Sequence, residues 1–281
     1  MAKRKGKGLS IKKKSKLNST NQHKHSIPYL INSIIEQGDL ILEILDARFI
    51  EKTRNFEIEK KAKELGKKIV YVLNKSDLVD VAEIKLNLEL NEIKPYIFFS
   101  AKNKNGLSDL KEIIRKMSNN LDTDAMNVGI IGYPNTGKSS IINILTGRAA
   151  TKTSSQAGFT KGLQKIRIFP GVYLMDTPGI IPLKEDSTKN RRDLIKHAEI
   201  GVRTWDKTKN PDMVVHKIMQ EYPGILEKYY KIKAGGDSEI LIEGLGRKHN
   251  YLIKGNIVDE DRTARHVLRD WQEGRIRINK F

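Results

Sequence analysis

Cysteine is absent from this 281-residue chain. Its absence excludes a disulfide framework, thiolate metal sites and cysteine nucleophiles, and with them any partner held through a disulfide. No stretch approaches the ~18–20 consecutive apolar residues needed to cross a bilayer, so no membrane partner is expected. The opening Met1-Ala2-Lys3-Arg4-Lys5 is basic but has no apolar stretch behind it, which argues against a secretory signal. The expected location is therefore intracellular, in the cytoplasm. Acid is scarce relative to base: 34 Asp+Glu face 52 Lys+Arg, for a formal charge of +18. A hydrophobic share of 38% still excludes a wholly disordered or fibrous chain. The length is enough for a real core and for two domains, or for one domain with an appendage.

Residues 1–25 contain no acid and nine Lys/Arg, among them Lys12, Lys13 and Lys14, so half of the net charge sits at one end. Like charges spaced by Gly, Ser and Asn cannot bury a core, and the segment reads as a disordered basic arm. Such an arm either stays solvated or condenses on a phosphate backbone with release of counterions. The remainder of the chain is itself +9, which favours the second.

Beyond residue 26 the pattern becomes α/β. Residues 40–45, 69–73, 96–99, 128–131 and 172–175 are apolar runs of strand length, as expected of strands covered on both faces. Residues 166–169 alternate and read as an edge strand. Charged amphipathic stretches at 57–65 and 107–117 separate several runs. Strand–helix alternation predicts a mainly parallel, doubly wound α/β sheet, and residues 118–124 read as a linker between its halves.

Gly132-Tyr133-Pro134-Asn135-Thr136-Gly137-Lys138-Ser139 fits G-x-x-x-x-G-K-[ST]. It follows the strand 128–131 and opens a helical stretch from Ser140, the context a phosphate-binding loop requires. Glycines let backbone N–H groups curl around phosphates, and the helix start adds positive potential. Lys138 is suited to the β- and γ-phosphates and Ser139 to Mg²⁺. Asp176-Thr177-Pro178-Gly179 follows the strand 172–175. There Asp176 can hold Mg²⁺ through water and the Gly179 amide can meet a γ-phosphate, although Asp-x-Pro-Gly is also a good turn.

Asn74-Lys75-Ser76-Asp77 ends the strand 69–73. A carboxylate at Asp77 can accept from the ring N–H and the exocyclic amine of guanine, a pair adenine does not present. Asn74 can bond the other edge of the base, and the Lys75 stem can lie along its face. Ser100-Ala101-Lys102 closes the next strand, where a backbone N–H can bond the guanine carbonyl. Every one of these motifs falls at the carboxyl end of a predicted strand, where open α/β sheets bind ligands.

Together the motifs resemble the Ras-like GTPase set in a rotated order, with the base motifs ahead of the phosphate loop. The order is similar to that of the YlqF/RbgA family of circularly permuted GTPases; Asp46-Ala47-Arg48, with Thr53-Arg54 beyond, adds to the likeness. The resemblance implies a P-loop GTPase fold, GTP with Mg²⁺, and a role with ribosomal RNA in assembly of the large ribosomal subunit. Residue by residue it implies that Thr160, in Ala157-Gly158-Phe159-Thr160, closes on Mg²⁺ and γ-phosphate, with Thr151 or Thr153 as alternatives. The family commonly has proline where Ala157 stands. It implies Asn135 as a ligand for K⁺, against simple loop packing, and His23 as a catalytic histidine, against a solvated residue of the arm. Ile180 stands where Ras-type enzymes place a water-orienting glutamine, so intrinsic hydrolysis should be slow and stimulated by potassium or the ribosome.

Three parts are expected: the arm 1–25, a permuted GTP-binding domain 26–182 and a smaller, mostly helical domain 183–281. In the last, a helix capped by Asp259 and stopped by Gly274 would bury Val267, Leu268 and Trp271 and turn Arg262, Arg265 and Arg269 elsewhere. Those arginines, with Arg247 and Lys248 in an expected loop at 244–250, are candidate RNA contacts or a solvated face. The rival reading is an RNA-binding scaffold that holds GTP with negligible turnover, or a GTPase acting on another RNA.

Overall fold

The computed structural model describes residues 27–86, 88–121, 123–147, 164–176, 181, 185 and 190–278. The basic arm lies outside them. Six strands form one sheet: β1 (Leu40–Asp46), β2 (Lys68–Asn74), β3 (Tyr96–Phe98), β4 (Met126–Ile131), β5 (Gln164–Phe169) and β6 (Val172–Asp176). Their order is β3-β2-β1-β4-β6-β5. All neighbours run parallel except β5, which pairs antiparallel with β6 at the edge. The edge position and alternating pattern of β5 agree, because only one of its faces needs an apolar cover.

Helices cover both sides, as the two-sided burial of the strands requires. α5 (Leu107–Asn119) and α6 (Lys138–Thr146) bury Leu110, Ile114, Ile141 and Ile142 against Leu42, Ile44, Val70 and Val128. On the opposite face α1 (Ile27–Gln37) and α3 (Phe56–Glu64) bury Ile34, Ile35, Ile58 and Ala62 against Ile41 and Ile131. α5 extends through Asn119, two residues into the stretch read as linker, since its buried stripe carries the helix to an Asn120 cap. α2 (Ile50–Thr53) and α4 (Val81–Lys85) are short turns on the β1 and β2 side.

The C-terminal part is a helical bundle with one small hairpin: α7 (Arg191–Glu199), α8 (Pro211–Glu221), α9 (Ile225–Tyr230), α10 (Ser238–Lys248), β7 (Leu252–Ile253), β8 (Ile257–Val258) and α11 (Glu260–Gln272). Asp259 caps α11 by accepting from the Arg262 backbone N–H at 3.0 Å, as its sequence implies. Trp271 sits at the bundle centre, 1% exposed, with its indole N–H donating to the Glu199 carbonyl at 3.1 Å. The bundle core also takes in Phe49 and Tyr133 from the sheet domain, so the two parts share apolar packing. Residues 244–250, expected as a loop, mostly continue α10. The glycine there serves packing: a Cβ on Gly246 would lie 2.2 Å from Val258 Cγ1, so only glycine lets α10 approach the hairpin this closely. Among the described residues no helix is long and apolar enough to cross a membrane.

Candidate nucleotide-binding site

β2, β3 and β4 deliver three loops to one edge of the sheet, at their carboxyl ends. The loop after β4 runs from Gly132 to Gly137 and leads into α6, with Lys138 as the first helical residue. Gly137 has φ +103°, and a Cβ there would lie 2.1 Å from Asn74 Nδ2, so the position excludes side chains on both counts. Lys138 Nζ donates to the Gly132 and Tyr133 carbonyls at 2.9 and 2.7 Å. A backbone cradle, a lysine folded across it and a helix N-terminus are the donor set a polyphosphate needs.

The base-side loops are braced against this cradle. Asn74 is 1% exposed. Its Nδ2 donates to the Thr136 carbonyl at 2.7 Å, and its Oδ1 accepts from the Ala101 N–H at 3.1 Å. One donor and one lone pair of its amide are thus engaged, and Asn74 acts as a strut between the phosphate loop and the 100–102 loop. The same bond occupies the Ala101 amide. Ser100 Oγ donates to Asp77 Oδ1 at 2.6 Å and accepts from the Asn103 N–H, orienting the Asp77 carboxylate toward the pocket edge while leaving its other oxygen for a ligand. Lys75 sits in the left-handed region at φ +62°, and its Nζ meets Asp46 Oδ2 at 2.7 Å.

Asp46 lies opposite Asn74 in the β1–β2 register and is 1% exposed. Arg48 Nε and Nη2 donate to its two oxygens at 3.0 and 2.7 Å. Burial alone would raise the Asp46 carboxyl; Arg48 and Lys75 outweigh it and hold the group well below the usual carboxylate range. Arg48 Nη1 continues to the Trp271 carbonyl at 2.9 Å. A chain of contacts therefore runs from the base motif to the heart of the C-terminal bundle.

Three further links join the same partners. Asn135 Nδ2 donates to the Gly201 carbonyl at 2.7 Å. Tyr133 Oη donates to Glu185 Oε2 at 2.9 Å, and that carboxylate also accepts from Lys196 at 2.6 Å. Burial pushes the Glu185 carboxyl up, but hydrogen bonds from His197 and Lys196 bring it down to about 2. Lys52 of α2 bridges Glu199 and Glu221. Sequence reasoning missed these ties, because each partner pair is separated by more than fifty residues except those within the Glu185 cluster.

One buried acid was signalled and passed over. Glu43 interrupts the apolar run of β1, is fully buried, and accepts from the Asn55 N–H at 2.8 Å through Oε1, while Oε2 has no partner. Burial first, and the nearby Glu59 second, raise its pKa well above the ordinary value. Glu59 itself is clamped by Arg54 at 2.9 and 2.8 Å.

Thr136, Gly137, Lys138, Ser139 and Ser140 are brought together with Asn74, Lys75, Asp77, Ser100, Ala101 and Lys102 at this sheet edge. The backbone of Asp176 ends β6 opposite Ile130, beside the phosphate-loop strand. Ser139, in the first turn of α6, and Asp176, the last residue of β6, are residue types with the hard oxygen donors that Mg²⁺ takes. Among the described residues no cluster of three His, Asp or Glu could hold a metal by itself. Lys12, Lys13, Lys14, His23, Thr160, Gly179 and Ile180 lie outside the described residues. In the bundle, Arg247, Lys248, Arg262 and Arg269 are exposed. Arg265 is spent internally: its guanidinium pairs with Asp261 at 2.6 and 3.0 Å and donates to the Trp205 and Asp206 carbonyls at 2.8 and 3.0 Å. With these bonds made it braces the 205–207 turn.

A profile of the 50S ribosome-binding GTPase family matches residues 127–234. An uncharacterized GTP-binding protein of Methanocaldococcus jannaschii is 38% identical over 89% of this chain and 66% of its own length. Nucleolar GTP-binding protein 2 of Saccharomyces cerevisiae is 32% identical over 86% of this chain and 50% of its own length. The chain thus spans less than two thirds of these relatives. Among solved structures, YlqF from T. maritima bound to GNP superposes with a TM-score of 0.60 at 21% identity, covering 88% of this chain and 93% of that one. At that identity the likeness is one of fold.

Proposed function

We propose that the chain is a circularly permuted GTPase of the YlqF type, a GTP-hydrolysing switch that binds ribosomal RNA on the large ribosomal subunit during assembly, a reading supported by the family match, the relatives and the shared fold. The observation that carries the nucleotide half is the Asn74 strut, which fixes the base-side loops and the phosphate loop at one spacing. That spacing suits a ligand with a base at one end and phosphates at the other. The Asp77 carboxylate selects guanine over adenine because guanine presents it a ring N–H and an exocyclic amine, whereas the adenine ring nitrogen only accepts. Lys138 and the backbone of 132–137 hold the phosphates, Ser139 and Asp176 hold Mg²⁺, and the metal when bound neutralises charge on the phosphate oxygens. Thr160, Gly179 and His23 are proposed for the reacting end, and Oδ1 of Asn135 for K⁺.

The RNA half is supported by the +18 charge, the match to the 50S ribosome-binding GTPase family and the nucleolar names of relatives. Arm 1–25, GTP-binding part 26–182 and bundle 183–281 are the proposed units. Three of the links to the bundle start from these loops or beside them and give the switch its mechanical logic: whatever shifts the phosphate or base loops pulls on Gly201, Glu185 or Trp271. Binding of labelled GTP against excess GDP, ATP and XTP tests the base assignment. Wild type should be displaced by GDP alone, and Asp77→Asn should shift preference to XTP. Equal displacement of wild type by ATP would reject a guanine site.

A further inference from the structure

Where α10 runs into the β7–β8 hairpin, the bundle carries a ring cluster that the nucleotide site does not use. His249, which closes α10, stacks on Tyr251 with centroids 5.4 Å apart and planes 26° apart. His266 of α11 lies 4.8 Å from His249 and 5.7 Å from Tyr251. The Arg262 guanidinium lies 4.2 Å from the Tyr251 ring centroid.

This cluster is locked from beneath. Tyr251 Oη and His266 Nδ1 are 2.9 Å apart, and His266 Nε2 is 3.2 Å from Asp270 Oδ2. Asp270 is buried and also accepts from Tyr230 Oη at 3.1 Å and from Arg275 at 2.9 Å. With a carboxylate on Nε2, that nitrogen carries the proton and Nδ1 accepts from the tyrosine. Burial keeps the His266 imidazole below its ordinary range despite Asp270, in keeping with that neutral tautomer. The rings are therefore pre-ordered, and a ligand stacking on them loses little freedom in ordering them.

A cluster that only fastened the hairpin would turn its planar groups inward. Here His249 and Arg262 are exposed, and so are Lys248 and Lys254 beside them. Residues 247–269 carry six Lys/Arg against three Asp/Glu. Duplex phosphates need only the cations, whereas an unstacked base needs a flat π surface such as imidazole or guanidinium. Arg247 is paired with Glu243 at 2.7 Å and Lys248 donates to the Tyr230 carbonyl at 2.9 Å, which leaves Lys254 as the cation nearest in sequence to the stack. We propose that the His249–Tyr251–Arg262 stack is the seat of one unpaired RNA base, with Lys254 on a flanking phosphate.

The inference rests on the RNA-binding reading above, and the test separates the two. Full-length wild type, His249→Ala and His249→Phe are titrated against a fluorescein-labelled 12-nucleotide oligo(A) and a blunt 12-base-pair RNA duplex. His249→Ala should weaken oligo(A) binding roughly tenfold, the loss of one stacked base, and leave duplex affinity and the salt slope unchanged. His249→Phe, which keeps the flat surface, should bind oligo(A) like wild type. No loss in His249→Ala, equal loss on both RNAs, or equal loss in both variants would overturn the base seat while leaving RNA binding intact. Failure of wild type to bind either RNA would reject the RNA reading and the seat with it.

Discussion

Replacing Arg48 by alanine strikes the joint between base site and bundle. Arg48 and Asp46 side chains are 2% and 1% exposed, and the arginine makes two side-chain bonds to the carboxylate and one to the Trp271 carbonyl. After Arg48→Ala the Asp46 carboxylate keeps only Lys75 at 2.7 Å among its charged partners, and the Trp271 carbonyl loses its side-chain donor while keeping the Gly274 N–H. Stripping one partner from a buried pair costs about 3–5 kcal/mol, because the remaining charge is left in a poorly solvating place. Urea unfolding followed by tryptophan fluorescence reads this directly, since Trp205 and Trp271 both lie in the bundle. The Asp46→Ala/Arg48→Ala double variant should lose less than the sum of the singles, as the two share one interaction. The pH profile gives an independent check. The folded carboxyl of Asp46 lies below its unfolded value, so its contribution is present above about pH 4 and is lost as pH falls through the folded value. Arg48→Ala should flatten that acid limb. A cost below about 1 kcal/mol, the range of exposed pairs, with an unchanged acid limb would refute the reasoning.

Three further outcomes follow from the same geometry. Gly137→Ala places a Cβ 2.1 Å from Asn74 Nδ2 at φ +103°; GTP affinity by titration should fall at least about a hundredfold, near 3 kcal/mol, while far-UV circular dichroism is retained. Glu43 has a raised folded pKa, so its contribution is full below the unfolded value and disappears as pH rises through the folded one. Glu43→Gln should therefore reduce the loss of stability as pH rises above the unfolded carboxyl value, read by urea midpoints from about pH 4 upward. Arg265→Ala should cost about 1–2 kcal/mol through its lost carbonyl bonds and leave RNA affinity at the wild-type value, because the side chain is turned onto the 205–207 turn.

Apolar runs of four to six residues announced five of the sheet strands, and alternation announced the β5 edge, because two-sided and one-sided burial leave different patterns in a strand. The phosphate loop was equally legible, since G-x-x-x-x-G-K-S states a backbone requirement in the residues themselves. The role of Asn74 was not. Its partners, Thr136 and Ala101, come from loops 62 and 27 residues away, and only the β2–β1–β4 order brings them together. Arg265 looked like its neighbours Arg262 and Arg269 because periodicity gives a helix face and not the carbonyls another segment lays against it. The glycines at 244 and 246 read as loop signals, whereas Gly246 answers a tertiary need, the approach of Val258. Glu43 was visible as an acid inside an apolar run, and a charged residue there is by itself a sign of a buried polar site.

GTP turnover by the full-length protein, with and without purified large ribosomal subunits, in potassium and then sodium buffer, tests the central claim most directly. The account predicts slow turnover alone and at least about tenfold stimulation by the subunits, equal to about 1.4 kcal/mol off the barrier, with potassium dependence if Asn135 holds the cation. Tight GTP binding with turnover that no subunit raises in either buffer would contradict it and leave a GTP-holding RNA scaffold.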